Sequence, residues 1–191
     1  MWISQLELVN FKSYQHQIFD FPQPRNGKNL ILIGGLNGYG KTTLLEALYL
    51  GLFGQDAIIH LVRAGLKSAS GYHKFLEGAL HGHDGTRDTM SVTVQINKSQ
   101  SSGLSIQRKW YFNKNGIFID QDINIYSVKN GVKQATIPDH KLSEILEQYF
   151  VPAHIAPFFF FDGEEVKSLA AQDRVEQIRQ GMEGLLVVSS Y

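Results

Sequence analysis

The chain has 191 residues, 43% of them hydrophobic and 19% charged, with 18 Lys plus Arg against 18 Asp plus Glu. That size and balance fit one globular domain with a real core, and the zero net charge excludes a global basic field that recruits nucleic acid. No cysteine is present, which excludes disulfides and thiolate metal sites and suits a reducing cytoplasm. No signal-peptide pattern and no apolar run near the roughly 20 residues of a membrane span are found.

Residues 2–10 alternate apolar and polar side chains and predict a strand. Phe11-Lys12-Ser13-Tyr14 follows, and Gln17 to Phe21 predicts a second strand, ended by Pro22 and Pro24. Arg25 to Asn29 reads as a hairpin turn of Asn-Gly type. It leads into Leu30-Ile31-Leu32-Ile33, a short apolar run expected to form a buried strand.

Gly35 to Thr43 has the Gly-x4-Gly-Lys-Thr spacing of a phosphate-binding loop. Glycines let the backbone take positive φ and approach a ligand closely. The amides then form a nest for phosphate oxygens, and the first turn of the following helix adds its positive dipole end. On this reading Asn37, Gly38, Tyr39 and Gly40 line the cradle, and Lys41 reaches the β and γ phosphates. The Thr42 hydroxyl ligates Mg²⁺, and Thr43 donates at the α phosphate. Thr43 to Phe53 combines strong helix formers with apolar residues at helical spacing, so a helix follows the loop.

Gln55 to Gly82 is mixed and largely helical in pattern, with a short amphipathic helix over Gly71–Leu80. His81-Gly82-His83-Asp84-Gly85 contains metal-ligand residue types, although its glycines favour a solvated turn. Residues 89–135 read as an antiparallel meander. Its strands are Thr89–Ile96, Leu104–Phe112, Ile117–Ile119 and Ile123–Val128, and its turns lie at 97–103, Asn113–Gly116 and Lys129–Gly131. Lys98, Arg108, Lys109, Lys114, Lys129 and Lys133 give the meander a basic excess around Trp110 and Tyr111. Contact with DNA and a solvated strand face are the two readings of that excess.

Pro138 to Phe150 predicts an amphipathic helix carrying Leu142, Ile145, Leu146 and Tyr149 on one face. Four consecutive phenylalanines, Phe158 to Phe161, predict a strand buried on both faces, ending in the acidic turn Asp162-Gly163-Glu164-Glu165. Ligands of open α/β sheets bind beyond the carboxyl ends of strands, which points Asp162 toward the nucleotide. Glu164 to Glu183 reads as a charged helix.

Three features together carry a resemblance: the opening Leu8-Val9-Asn10-Phe11-Lys12-Ser13-Tyr14, the Gly-x-Asn-Gly-x-Gly-Lys-Thr-Thr loop, and the late Asp-Gly-Glu turn. The chain resembles the N-terminal lobe of the SMC-like ABC ATPases, the group that includes SbcC. Within that group, Phe-Phe-Phe-Phe-Asp-Gly-Glu-Glu is most similar to the DndD family, the ATPases of bacterial DNA phosphorothioation systems. The resemblance implies an α/β fold of P-loop NTPase type with an antiparallel β subdomain. It divides the single lobe 1–191 into 1–54, 55–88, 89–135 and 136–191, the last part holding the Q-loop-like strand and the start of a coiled coil.

The resemblance further implies ATP and Mg²⁺ as cofactors, nucleotide contacts from Lys12 and Ser13, and catalytic roles for Lys41 and Asp162. Asp162 falls at the Q-loop glutamine position, and a carboxylate there faces Mg²⁺ through a water, beside Thr42. Neither an apolar strand ending in Asp-Glu nor a Ser-Gly-Gly signature is found. In this family both lie in a C-terminal lobe, so the sequence reads as half an ATPase. Homodimerisation of heads on ATP, DNA reached through the full-length protein or complex, and other DNA-modification proteins are the implied partners. A stand-alone P-loop kinase or nucleotide-binding module is the competing reading, but Arg63, Arg87, Arg174 and Arg179 show no lid pattern.

Overall fold

The structure is a computed structural model that describes residues 1–25, 27, 30–34, 36, 39–63, 71–82 and 88–149. Among the described residues six antiparallel strands form one sheet: β1 (Trp2–Phe11), β2 (Tyr14–Asp20), β3 (Thr89–Asn97), β4 (Ser102–Phe112), β5 (Phe118–Lys129) and β6 (Val132–Ile137), in the order β2-β1-β3-β4-β5-β6. The N-terminal hairpin and the later meander are therefore one sheet, joined where β1 pairs with β3 in the register Leu6↔Val94 and Leu8↔Val92. Each strand alternates across the sheet. Leu6, Leu8, Met90, Val92, Val94, Ile96, Ile106, Trp110 and Ile125 fall on one buried face. Gln5, Glu7, Gln95, Gln107, Lys109 and Asp122 fall on the other, which is the period-2 pattern of a sheet covered on one side.

Helix α1 (Lys41–Phe53) covers that apolar face. It has no polar stripe: Leu44, Ala47, Leu50, Leu52 and Phe53 are all buried, as a helix held between the sheet and further elements must be. A Cβ built on Gly51 falls 2.6 Å from Val94 Cγ2 and 2.9 Å from Val92 Cγ1, so a glycine here lets the helix lie directly on β3. Helix α2 (Ala57–Arg63) follows a 3₁₀ turn, α3 (Tyr72–Ala79) buries Tyr72, Phe75, Leu76 and Ala79, and α4 (Leu142–Tyr149) buries Leu142 and Leu146. The β5–β6 loop is Asn130-Gly131 with φ of 51° and 77°, the backbone of a type I′ turn.

Two expectations need correction. Residues 118–129 are one continuous strand, because Asp120 and Gln121 keep pairing with Tyr111 and Trp110 where the sequence pattern breaks. Leu30–Ile33 is not a buried strand: these residues lie outside the sheet, with Leu30 and Leu32 88% and 91% exposed. An apolar run becomes a strand only where a neighbour offers ladder partners, and β2 and β6, the sheet's edges, do not pair with it. The described sheet is thus wholly antiparallel, without the strand expected before the loop. Asn26, Lys28, Asn29, Gly35, Asn37, Gly38, the His83–Gly85 part of the histidine turn, Arg87, the Phe158–Phe161 strand, Asp162, Arg174, Arg179 and the 164–183 helix lie outside the described residues.

Candidate phosphate-binding site

Gly40 caps α1 with φ +89°, a left-handed conformation that glycine adopts without cost. The Leu44 amide donates to the Gly40 carbonyl at 3.0 Å and closes the first helical turn. The amides ahead of Leu44 therefore face along the axis, out of the helix's N-terminal end. Among the described residues no side-chain cap is seen at this end and the first turn holds no acidic residue, so the positive end of the helix dipole favours an anion here. Lys41 folds back across the loop, with Nζ donating to the Leu36 carbonyl at 3.0 Å. The Tyr39 amide donates to the same carbonyl at 3.3 Å. Thr42 is exposed and Thr43 half-buried at the mouth of the helix, and the Tyr39 side chain is exposed.

This donor set fits a polyphosphate with its divalent cation: outward amides, one ammonium and an accessible hydroxyl, with no carboxylate in the first turn to compete. The structure thus brings together Tyr39, Gly40, Lys41, Thr42 and Thr43.

Beside the loop lies a cleft of about 250 Å³ lined by Tyr14, Gln17, Phe19, Ile33, Gly34, Tyr39, Gly40, Lys41 and Leu44. Tyr14, at the start of β2, stacks edge-on against Phe19 at 5.6 Å. Its hydroxyl points at the carbonyls of Tyr39 and Gly40, 3.4 Å from each.

Lys12 sits in the β1–β2 turn, whose backbone is tied down on three sides. Its amide donates to the Ala79 carbonyl at 2.6 Å, His81 Nδ1–H donates to the Lys12 carbonyl at 2.5 Å, and the His81 amide reaches the Asn10 carbonyl at 2.9 Å. Asn10 and Lys12 both take the left-handed region, with φ of 52° and 48°. The Lys12 ammonium pairs with Glu46 and lies 5.4 Å from the Phe75 ring centroid. Glu46 is one helical turn beyond Thr42 on α1 and is buried. Lys12 therefore grips the helix that follows the loop, yet its charge is committed to a carboxylate behind the site. Ser13 is exposed in the turn.

At the other end of α1, Arg108 reaches from β4 across the buried face. Nε donates to the Gly51 carbonyl at 3.1 Å and Nη2 to the Leu52 carbonyl at 3.4 Å, so a cation meets the negative end of the helix dipole. Burial pushes the guanidinium pKa below its ordinary value, while Tyr72, Asp56 and Asp139 pull it back up. Trp110 is fully buried and its indole N–H donates to Tyr72 Oη at 2.8 Å and to Gln121 Oε1 at 3.1 Å. Lys109 lies over Tyr111 and Lys133 over Tyr126. The basic excess of the meander thus divides. Arg108 and Trp110 build the core, and Lys109 shares the open face with Asp120 and Asp122.

Sequence reasoning missed Tyr14 as a loop contact, Glu46 and Arg108. The last two carried a readable signal: each is a charge inside an apolar pattern, Glu46 within a helix apolar all round and Arg108 on the inward register between Ile106 and Trp110.

The sequence profile of the AAA domain family matches residues 5–187. The chain belongs to that family. Among curated proteins, the "DNA double-strand break repair Rad50 ATPase" of Nanoarchaeum equitans is 26% identical over 175 residues, which is 90% of this chain and 18% of that protein. The "DNA replication and repair protein RecF" of Carboxydothermus hydrogenoformans is 34% identical over 99 residues, 50% of this chain and 25% of that protein. The chain therefore matches 25% or less of the length of these relatives. The family and these likenesses support the N-terminal region of an SMC-like ABC ATPase. No helix among the described residues is long and apolar enough to cross a membrane.

Proposed function

We propose that this chain is the ATP-binding N-terminal half of an SMC-like ATPase acting in DNA metabolism. The observation that carries the reading is the loop itself: a helix N-terminus that opens at Gly40 with φ +89° and has no acidic residue in its first turn, Lys41 folded over it and Thr42 exposed beside it. The AAA domain match and a Rad50 relative named as an ATPase support it.

In this proposal the amides of Asn37 to Lys41 hold the β and γ phosphates, Lys41 neutralises their charge, and Thr43 donates at the α phosphate. Thr42 and Asp162 would hold Mg²⁺, which when bound would offset charge on the phosphate oxygens. Lys12 and Ser13 approach from the first hairpin, and for Lys12 that contact requires exchange of Glu46 for phosphate. Two heads close on ATP as a ligand-driven shift between states, and DNA is engaged by the whole protein or its complex in the cytoplasm.

Hydrolysis requires the catalytic carboxylate and signature segment of a second lobe, so the chain alone binds nucleotide weakly and turns it over negligibly. Calorimetric titration with ATP and Mg²⁺ tests this. Binding lost in Lys41→Ala is expected; binding indifferent to that change, or rapid turnover that depends on Lys41, refutes it.

Two branches follow for the biological role. The Phe158–Glu165 motif supports the DndD branch, DNA phosphorothioation. The relatives named for double-strand break repair and for replication and repair favour an SbcC-like branch. Adjacent sulfur-transfer genes decide for the first branch, and an adjacent nuclease gene for the second.

A further inference from the structure

We infer that Tyr14 is a positioning residue for the phosphate-binding amides: its phenol fixes the peptide planes on either side of Gly40, so that their N–H groups face the polyphosphate tail. The inference rests on the phosphate-loop reading above. The phenol tip occupies the space where a side chain at position 40 would start. A Cβ built there falls 2.4 Å from Tyr14 Oη, 2.8 Å from Cζ and 3.0 Å from Cε2. Glycine at position 40 is therefore required twice, by φ +89° and by the phenol packed against its Cα.

The hydroxyl is 3.4 Å from both the Tyr39 and the Gly40 carbonyl oxygens. In a planar trans peptide the C=O and the following N–H point in opposite directions. Turning the Tyr39 carbonyl toward Tyr14 turns the Gly40 amide away from it, and turning the Gly40 carbonyl does the same for the Lys41 amide. These are two of the donors the loop reading assigns to phosphate. Tyr14 is itself braced, edge-on against Phe19 and paired with Phe11 across the hairpin. The sheet thus sets the loop's donors through one side chain.

The alternative use of an aromatic beside a nucleotide site is to stack on the base. The two roles separate with a ligand that has phosphates and no base. Tripolyphosphate and ATP, each with Mg²⁺, are titrated into the chain and into Tyr14→Phe, Tyr14→Ala and Lys41→Ala, following the amide resonances of residues 39–44 by NMR. The phenylalanine variant keeps the ring and loses one long hydrogen bond, so about a threefold weakening is expected; the alanine variant loses the wall, and about tenfold or more is expected. The weakening is the same for both ligands, and the Gly40 and Lys41 amides shift in the unliganded Tyr14→Ala protein. Thermal melts identify any variant that is not folded, and Tyr14→Phe, which keeps the core contacts, then decides.

Weakening confined to ATP means base stacking and overturns the inference. So does unchanged binding of tripolyphosphate to Tyr14→Ala. Failure of the unmodified chain to bind either ligand, or binding indifferent to Lys41→Ala, overturns the phosphate-loop reading itself and the role of Tyr14 with it.

Discussion

Replacing Lys12 by methionine separates a structural role from a nucleotide-contacting one. The Glu46 side chain is 5% exposed and its described cation is the Lys12 ammonium, whose own side chain is 29% exposed. Removing one partner of a fully buried pair costs about 3–5 kcal/mol, because the remaining charge is left without compensation in a poorly solvated place. Lys12 keeps partial contact with water, which lowers the expected loss for Lys12→Met to about 2–4 kcal/mol. Methionine preserves the aliphatic stem over Phe75, so the loss reports charge more than packing. Glu46→Gln removes the buried charge and leaves an ammonium that water can reach, at a cost of about 1 kcal/mol. Adding Glu46→Gln to Lys12→Met should then recover stability rather than add to the loss. Urea unfolding of the four proteins, followed by circular dichroism, gives the coupling energy directly. A cost below about 1 kcal/mol for Lys12→Met, or additive single changes, refutes a buried and compensated Glu46.

Arg108→Met leaves the Gly51 and Leu52 carbonyls without their described donor and should cost about 2–3 kcal/mol, read by the same unfolding assay. Gly51→Ala gains helix propensity worth about 1 kcal/mol and drives a methyl into Val94 and Val92, where overpacking costs about 1–3 kcal/mol; a net loss of stability is expected. Burial raises the Tyr49 and Tyr72 hydroxyl pKa values above the ordinary 10.0, partly offset at Tyr72 by Trp110 and Arg108. Both remain protonated in the fold while the unfolded chain ionises, so stability holds below pH 10.0 and falls as pH rises above it. In an ultraviolet alkaline titration their two phenolates should appear only together with loss of ellipticity; early ionisation of all eight tyrosines would contradict their burial.

The sheet was legible because one covered face writes itself into the strands as alternation, and Asn130-Gly131 marks its turn without help from tertiary contacts. The phosphate loop was legible for the same local reason, since glycine spacing and a following helix are properties of adjacent residues. Leu30–Ile33 misled because apolarity states a preference for burial and not the identity of the neighbour that supplies it. The break at Asp120-Gln121 misled in the opposite sense. Polar residues stay in a strand when the opposite strand fixes the register, and Gln121 is held by Trp110 and Tyr72. The pairing of β1 with β3 joins positions more than eighty residues apart, and no local pattern encodes it.

What the sequence hid most completely is how the sheet holds α1, and this holding bears on the site. A phosphate cradle built from amides works only if the helix behind it does not rotate or slide, because its donors belong to the backbone and cannot adjust one at a time. Three side chains from the sheet and its turn meet this helix at three levels: Tyr14 at the Gly40 cap, Lys12 at Glu46 one turn beyond Thr42, and Arg108 at the last carbonyls. Gly51, whose carbonyl Arg108 holds, adds direct contact with β3 at that same level. Each contact uses a different force: a phenol packed on a glycine, a buried charge pair, and a cation on a helix C-terminus. Loosening the far end through Arg108→Met should therefore weaken phosphate binding without touching any residue of the cradle. Tripolyphosphate affinity measured well below the unfolding midpoint tests this. Unchanged affinity in a destabilised Arg108→Met protein would mean that the Gly40 end is set by Tyr14 and Lys12 alone.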